Sequence, residues 1–337
     1  MTATSAGTGS ATEITMLGAI NGALRDEMAR DERVMVLGED VGLNGGVFRA
    51  TEGLQAAFGA DRVVDTPLAE GVIIGSSIGL AVAGLVPVPE IQFLGFSYQA
   101  FHQIAGQLAR YRYRSQGTHP MQVTVRAPYG GGVRTPELHS DAIESQLANC
   151  AGLKIVCPAG AADAKGLLTA SIRDPDPVMF LEPLRGYRLL RDDVPDGEHV
   201  VPLGQARTLG DGDDLAIVAW SFMVEIARRA AERLAADGIG VTVVDLRTLV
   251  PLDVDTIAET VSRCGRAVVV QEAPQTAGFA AEVMATIAEE CFYDLEAPVE
   301  RVCGWDVPYP VAGLEDDYIP DVDRVLAAAR RVLDAAP

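Results

Sequence analysis

An α/β fold with two doubly wound domains is predicted by three features of the sequence. Short apolar runs typical of buried strands alternate with longer segments of helical periodicity, which indicates largely parallel sheets. This alternation stops once, in a polar, proline-bearing stretch, and then starts again. The chain has 337 residues, a length that favours two domains, and 48% of them are hydrophobic, which is enough for sizeable cores.

The predicted domain boundaries follow from this interruption. Residues 1–12 are rich in Thr, Ser, Gly and Ala, and we expect a disordered leader, because a signal peptide would need a basic start and an apolar core. Residues 13–185 form the first predicted domain, residues 186–204 a linker, and residues 205–337 a smaller second domain. We expect one parallel sheet in each domain.

The first domain is predicted to begin with an amphipathic helix at 15–30, for which Thr15 is a suitable N-cap. A mobile glycine-rich loop is expected at 128–132, continuing to His139. The remaining predicted helices are 72–84, 96–113 and 162–172, and the predicted strands are 34–38, 63–64, 86–93, 121–126, 154–157 and 178–181.

The second domain repeats the alternation of strand and helix. Its predicted strands are 215–220, 241–245, 267–271 and 298–303, and its predicted helices are 224–236, 254–263, 279–291 and 322–336. No uninterrupted apolar run approaches the ~20 residues that a membrane span needs.

The stretch Asp-Thr-Pro-Leu-Ala-Glu-Gly at 65–71 stands between an apolar strand and an apolar helix. Gly71, Gly75 and Gly79 recur every fourth residue and share one helix face, which predicts close approach of another backbone. Glu70 lies at the start of this helix, where a carboxyl group can be poorly solvated and partly neutral. The alternative is an ordinary acidic residue that favours the helix dipole.

Four residues with functional side chains follow first-domain strands: Glu39, Glu70, Phe96 and His139. In an open parallel sheet, ligands bind beyond the carboxyl ends of the strands, so we expect these side chains to gather at one edge. Taken singly, each has a plainer explanation: a cap for Glu39, a core position for Phe96 and a surface loop for His139.

Composition excludes several classes of partner. The net charge of −20 disfavours nucleic acid and anionic membrane surfaces as partners. Five cysteines without a C-x-x-C pair fit buried thiols of a reducing compartment, and we predict a cytoplasmic protein with neither a disulfide framework nor a zinc site.

One apparent motif is rejected. Gly210-Asp211-Gly212 resembles the start of the diphosphate and metal motif of thiamine enzymes, but it precedes a strand, and every Asn of the chain lies upstream of it. We predict a turn there. The chain therefore offers no obvious site for Mg²⁺ and diphosphate.

Several motifs, in order along the chain from about residue 15 onwards, resemble the β subunit of thiamine-diphosphate-dependent 2-oxoacid dehydrogenases. Two stretches, 111–115 and 295–310, are most similar to the branched-chain members. The motifs that carry the resemblance are Leu37-Gly38-Glu39-Asp40-Val41, Thr66-Pro67-Leu68-Ala69-Glu70, Glu90-Ile91-Gln92-Phe93, Tyr111-Arg112-Tyr113-Arg114-Ser115, Leu138-His139-Ser140, Val244-Asp245-Leu246-Arg247-Thr248, Glu272-Ala273-Pro274 and Arg301-Val302-Cys303-Gly304.

The resemblance implies a transketolase-like pyrimidine-binding domain followed by a transketolase C-terminal-like domain. It implies that Glu70 hydrogen-bonds the pyrimidine nitrogen of thiamine diphosphate and assists proton transfer within the coenzyme. Phe96 would lie against the pyrimidine ring, Leu68 would offer its carbonyl, and Gln92 would make a polar contact. A separate α chain would hold the diphosphate and Mg²⁺.

Further roles are implied by the same resemblance. Glu39 would lie on a proton path between two active sites, and His139 would handle protons or position the acyl carrier during transfer to a lipoyl group. Thr124 and Asp174 fall near a monovalent-cation site of relatives, where K⁺ is the expected ion.

The expected protein is therefore the β subunit of a branched-chain 2-oxoacid dehydrogenase, active with an α subunit in an α₂β₂ heterotetramer. We expect it to dock on a lipoyl-bearing acyltransferase core. An acidic cluster could provide that surface or be a solvated turn; it comprises Glu315, Asp316, Asp317, Asp321 and Asp323. The alternatives are a pyruvate or acetoin dehydrogenase β subunit, or a non-catalytic assembly subunit.

Overall fold

The computed structural model of the chain describes residues 11–335, except the side chain of Ala11. Residues 1–10 of the predicted leader lie outside the described residues. So do Ala336, the last residue of the predicted closing helix, and Pro337. Ala11 and Thr12 also belong to the predicted leader, but they lie in the first strand of the structure. The expectation of disorder is therefore wrong for these two residues.

The secondary structure alternates strands and helices as expected. The strands are β1 (Ala11–Thr15), β2 (Val34–Gly38), β3 (Val63–Asp65), β4 (Val86–Glu90), β5 (Thr124–Tyr129), β6 (Lys154–Val156), β7 (Val178–Pro183), β8 (Arg191–Pro195), β9 (Arg207–Leu209), β10 (Leu215–Ala219), β11 (Val241–Asp245), β12 (Thr248–Val250), β13 (Ala267–Pro274) and β14 (Glu300–Gly304). The α-helices are α1 (Met16–Arg30), α2 (Leu54–Phe58), α3 (Glu70–Val82), α4 (Ala109–Arg114), α5 (Glu144–Ala148), α6 (Ala161–Arg173), α7 (Gly186–Leu189), α8 (Met223–Ala236), α9 (Val254–Cys264), α10 (Ala280–Glu290), α11 (Glu315–Tyr318) and α12 (Val322–Leu333).

Two larger sheets organise the molecule. The seven-stranded sheet has the order β12-β6-β7-β5-β4-β2-β3, and all its neighbours are parallel except the pair β12 and β6. The five-stranded sheet has the order β14-β13-β10-β11-β9, and only its edge strand β9 is antiparallel. Strand β12 belongs to the second half of the chain but extends the first sheet, so the two halves share hydrogen-bonded backbone.

Local chemistry explains the elements that begin each layer. The Thr15 hydroxyl accepts a hydrogen bond from the Gly18 N–H at 3.1 Å and caps α1, as expected. Strand β2 is buried along its whole length, which suits an inner strand of a parallel sheet covered on both faces. No helix of the described chain combines the length and apolar character needed to cross a membrane.

The predicted linker has regular structure of its own. It contains α7 and then β8, which pairs in antiparallel register with β1. The polar, aperiodic sequence of the linker did not predict β8. A two-stranded ribbon at the surface buries few side chains, so it needs no alternation of apolar residues.

Three first-domain segments differ from their predicted form. The helix predicted at 96–113 is a 3₁₀ turn (Leu94–Ala100), a π-helical stretch (His102–Leu108) and then α4. The strand predicted at 121–126 runs instead from 124 to 129. Pro128 and Tyr129 therefore lie in a buried strand, and their predicted place in a mobile loop is wrong.

Gly71, Gly75 and Gly79, the glycine stripe of α3, approach other backbone of the described chain only at Gly71. A Cβ on Gly71 would lie 3.4 Å from the Gln99 carbonyl oxygen, and one on Gly75 would lie 3.7 Å from the Gln103 side chain. A Cβ on Gly79 would meet nothing within 4 Å. Close packing within this chain thus covers the end of the stripe next to Glu70.

Candidate active site

The residues expected to form a site leave the seven-stranded sheet at one edge. In the parallel register of β2, β3 and β4, Gly38 lies opposite both Asp65 and Glu90. The last residues of β2, β3 and β4 are therefore aligned, and Glu39, which follows β2, lies beside the ends of β3 and β4. This is the carboxyl edge of the sheet, where parallel α/β sheets bind ligands.

Glu70 is the first residue of α3 and is only 7% exposed. Its carboxylate accepts no hydrogen bond from any residue between 11 and 335. Its oxygens are not among the fully buried polar atoms, so they remain accessible at this edge. These free acceptor oxygens suit a ligand N–H.

Glu39 lies near Glu70 and shares its charge environment. The Glu39 side chain is half-buried; burial raises its pKa, and the charges of Asp40 and Glu70 raise it further. The following loop is fixed by Asp65, whose carboxylate accepts hydrogen bonds from the N–H groups of Gly42 at 2.6 Å and Leu43 at 3.2 Å. Two acids thus flank one edge, and Glu39 holds a proton more readily than an exposed acid does.

His139 packs into an aromatic group. Its ring centroid lies 4.4 Å from that of Phe93 and 5.0 Å from that of Phe96, both edge to face. The His139 Nδ1 atom is buried and has no hydrogen-bond partner among the described residues. This ring nitrogen therefore has a hydrogen-bonding position that the described residues do not use.

A glycine allows this packing. A Cβ on Gly95 would lie 2.1 Å from the carbonyl oxygen of Leu138, so only glycine lets the turn before His139 approach the turn that carries Phe96. The structure therefore brings Phe96 and His139 together, as predicted from the sequence.

Leu68 and Gln92 stand at the same edge by their place in the chain. Leu68 lies between β3 and α3, and its side chain is 71% exposed. Gln92 follows β4 and is half-buried, and its side-chain amide makes no hydrogen bond to a described residue. Both have polar groups left for a ligand, and their implied contacts stay predictions.

Thr124 and Asp174 lie away from this edge. Thr124 begins β5 opposite Val178, the first residue of β7, and Asp174 precedes β7, so both are at the amino ends of their strands. Both Asp174 carboxylate oxygens accept hydrogen bonds from the Lys154 ammonium, at 2.8 and 2.7 Å. The Asp174 side chain therefore does not fit as a free cation ligand, and a K⁺ site built from backbone carbonyls stays a prediction.

A buried ionic cluster under the edge was not predicted. The Arg126 guanidinium, fully buried in β5, pairs with Glu90 at 2.7 Å and with Glu182 at 2.7 Å, and Tyr187 donates to Glu182. Burial alone would lower the pKa of Arg126, but the two carboxylates outweigh it and raise the pKa. Charged residues inside apolar strand segments were the signal in the sequence.

The acidic cluster of the second domain is not one surface. Glu315 is fully buried and its carboxylate binds the backbone of Gly132 and Arg134. Asp321 caps α12 and Asp323 pairs with Arg233. The expectation of a five-residue acidic docking surface is therefore wrong for Glu315, which points inward.

The arrangement fits the pyrimidine end of thiamine diphosphate. Glu70 offers an acceptor for a ring N–H, Phe96 an aromatic face, and His139 a free ring nitrogen. Within residues 11–335, no group of three or more His, Cys, Asp or Glu side chains could hold a metal ion. The Gly210 to Gly212 stretch is part of the loop between β9 and β10, with φ of +82° at Gly210, and does not form the predicted turn.

Two family assignments cover most of the chain. Residues 12–188 match the family described as the transketolase pyrimidine binding domain, and residues 204–325 match the transketolase C-terminal domain. The first match includes Glu39, Glu70, Phe96 and His139. The predicted fold class of two transketolase-like α/β domains is thereby confirmed.

Similar proteins extend over nearly the whole chain. The "Pyruvate dehydrogenase E1 component subunit beta" of Staphylococcus epidermidis is 51% identical over 322 residues, which cover 96% of this chain and 99% of the relative. The protein of the same name from Staphylococcus aureus is 50% identical over the same length and coverage. A solved structure described as "Split gene transketolase, inactive beta4 tetramer" superimposes with a TM-score of 0.78 at 24% identity, covering 96% of this chain and 99% of that one, and supports the fold alone.

Proposed function

Because this chain belongs to the family of β subunits of thiamine-diphosphate-dependent 2-oxoacid dehydrogenases, we propose that it is the β subunit of a pyruvate dehydrogenase E1 component. The names of the relatives favour pyruvate, which the sequence offered only as an alternative to the branched-chain assignment. We therefore replace the branched-chain expectation by pyruvate as the proposed substrate.

The observation that carries this proposal is the largely buried Glu70 side chain at the carboxyl edge of the sheet, whose carboxylate makes no hydrogen bond to a described residue and keeps accessible oxygen surface. A side-chain acid in this environment can accept a hydrogen bond from a ring N–H and share its proton. The neighbouring acid Glu39, with its raised pKa, can hold a proton near that position. The site thus places an acid of raised pKa beside Glu70.

Thiamine diphosphate, when bound, supplies the nucleophile and the electron sink for decarboxylation of a 2-oxoacid. The residues of this chain would hold its pyrimidine: Glu70 by a hydrogen bond, Phe96 by ring contact, and Leu68 and Gln92 by polar contacts. His139, with its free Nδ1, would move a proton or orient the acyl acceptor during transfer to a lipoyl group. The hydrophobic packing of His139 by Phe93 and Phe96 would exclude water from this step.

The proposal includes an α chain and an α₂β₂ heterotetramer. The α chain would bind the diphosphate and Mg²⁺. Binding of a monovalent cation and docking on an acyltransferase core stay predictions. Leu43, Leu68 and Val72 are 90%, 71% and 62% exposed and lie around the Glu39 and Glu70 segments. Apolar side chains this exposed beside a site suit burial by a partner chain. A cytoplasmic location also stays a prediction.

The test is a substrate comparison with the reconstituted α and β chains, thiamine diphosphate and Mg²⁺. We expect kcat/KM for pyruvate to exceed that for 3-methyl-2-oxobutanoate by about tenfold or more, the range in which small changes of an apolar pocket discriminate substrates. A preference for 3-methyl-2-oxobutanoate would restore the branched-chain assignment. Absence of 2-oxoacid decarboxylation with an intact complex would leave an assembly subunit.

A further inference from the structure

The segment that carries His139 is held near both of its ends by the second domain. This His139 segment, residues 130–144, runs from the end of β5 to the start of α5. The Gly131 N–H donates to Glu272 Oε1 at 2.5 Å, and the Gly132 N–H donates to Glu315 Oε1 at 2.7 Å. Both acceptors belong to the second domain, 141 and 183 residues further along the chain.

Glu315 is built into the fold around this contact. It is fully buried, and it also accepts hydrogen bonds from the Tyr309 hydroxyl at 2.7 Å and the Arg134 N–H at 3.2 Å. A carboxylate with donors on both oxygens keeps one orientation, because each donor restrains its torsion. Glu315 therefore fixes the backbone at two positions of the His139 segment.

Gly131 and Gly132 are in close contact with one side chain from each domain. A Cβ on Gly131 would lie 1.6 Å from the Tyr309 hydroxyl oxygen, and one on Gly132 would lie 2.4 Å from Arg185 Cδ. Gly130 and Gly132 have φ of +81° and +90°, which residues with side chains rarely adopt. The start of the segment is thus set by contacts that only glycine permits.

The far end of the segment is held from the same side. The Trp220 indole N–H donates to Glu144 Oε1 at 3.2 Å, and both side chains are 1% exposed. Trp220 immediately follows β10 of the second domain. The His139 segment is therefore bound by the second domain at both ends, while His139 in its middle faces Phe93 and Phe96 of the first domain.

We propose that Glu272, Glu315 and Trp220, here called the frame, are positioning residues that set where His139 meets the acyl acceptor. They touch neither the coenzyme pocket nor the aromatic group, so they act through the backbone of the His139 segment. This inference rests on the proposed function for the role of His139. Its structural part, the restraint of the segment by the second domain, does not depend on that role.

The test uses the reconstituted α and β complex with Glu315→Gln, which keeps the side-chain size but replaces one acceptor oxygen by a donor. Asp317→Asn is the matched control, because Asp317 is exposed on the same short helix and its side chain contacts nothing in the segment. Trp220→Phe, which removes the indole donor at the other end, is a second variant. Two quantities are measured: hydrogen exchange of residues 130–144 and the rate of acyl transfer to a lipoyl domain.

We expect both frame variants to speed exchange in 130–144 and to slow acyl transfer by about tenfold, the scale of a small misplacement of a reacting group. The KM for the 2-oxoacid should stay within about twofold of wild type. In a His139→Ala background, Glu315→Gln should slow transfer less than about twofold further, because residues that act through one another are not additive.

Two results would overturn the proposal. Unchanged exchange in both frame variants would show that the second domain does not restrain the segment. An equal loss of transfer rate in the wild-type and His139→Ala backgrounds would show a general structural effect. If the wild-type complex decarboxylates no 2-oxoacid, the proposed function fails, and the exchange measurement alone then decides whether the frame exists.

Discussion

The edge around Glu70 and the segment around His139 use opposite kinds of support. Glu39, Glu70 and Phe96 are placed by strands β2, β3 and β4 and by the turns that directly follow them. The His139 segment is placed by Glu272, Glu315 and Trp220, which are far away in sequence. The proposed coenzyme end is thus built locally, and the proposed acyl-transfer end depends on how the two domains meet.

This difference separates the two proposed steps of the reaction. Changes in the first sheet should affect the whole fold together with the coenzyme pocket. Changes at the domain contact should affect the His139 segment while the pocket keeps its shape.

Removing the buried cation under the coenzyme edge should have the largest effect. Arg126→Met leaves Glu90 and Glu182 buried without their partner and should lower the free energy of unfolding by about 3–5 kcal/mol. Arg228→Met is the control, because Arg228 is an exposed helix residue whose ion pairs are worth roughly 0–1 kcal/mol. Urea unfolding of the β chain measures both, and similar losses for the two variants would contradict a structural role of the cluster.

A pair of glycine substitutions tests the contrast between the two regions. Gly131→Ala would place a methyl group against the Tyr309 hydroxyl and should lower the free energy of unfolding by about 1–3 kcal/mol. Gly79→Ala, in the open part of the α3 stripe, should raise it by up to about 1 kcal/mol through helix propensity. If both substitutions were tolerated equally, the close domain contact at Gly131 would not exist in solution.

A smaller, pH-dependent effect is expected from Glu272. Burial raises the pKa of Glu272 from 4.5 to about 7. The hydrogen bond from the Gly131 N–H lowers this pKa, and the charge of Glu144 raises it further. A folded-state pKa above the unfolded one gives stability that is present below about pH 4.5 and is lost as the pH rises through about 7. Glu272→Gln removes this pH dependence. The free energy of unfolding of the variant should therefore rise relative to that of wild type as the pH increases from about 4.5 to about 7.

Unfolding midpoints in urea, compared at about pH 5 and about pH 8, measure this difference. Glu282→Gln is the control, since Glu282 is an exposed carboxylate of α10 in the same domain. A constant gap between Glu272→Gln and wild type over this interval would contradict the burial of a titrating carboxyl group at Gly131.

The sequence predicted the local region well for a physical reason. The buried strands β2 and β11 are apolar runs that their own residues determine, and their predicted bounds agree with the structure. The helix predicted at 72–84 is also present, although it begins and ends two residues earlier, at Glu70 and Val82. The grouping of Glu39, Glu70, Phe96 and His139 at one edge followed from strand direction alone. Long-range pairing was not required for either prediction.

The domain contact could not be predicted in the same way. Pro128 and Tyr129 were assigned to a mobile loop because the glycines after them indicate flexibility, yet Glu272 and Glu315 hold that loop. Glu315 itself was assigned to a surface patch, since neighbouring acids are usually solvated. In both cases the hydrogen-bond partner lies more than a hundred residues away in sequence, and no local sequence pattern predicts it.

The central claim is that Glu70 acts on the coenzyme while a partner chain holds the diphosphate. The most direct measurement is the rate of CO₂ release from pyruvate by the reconstituted α and β complex with Glu70→Gln, together with a check that the complex still assembles. We predict a loss of about a hundredfold or more in kcat, the range of proton-transfer catalysis, with assembly unchanged. A rate near that of wild type in an intact complex would contradict the account.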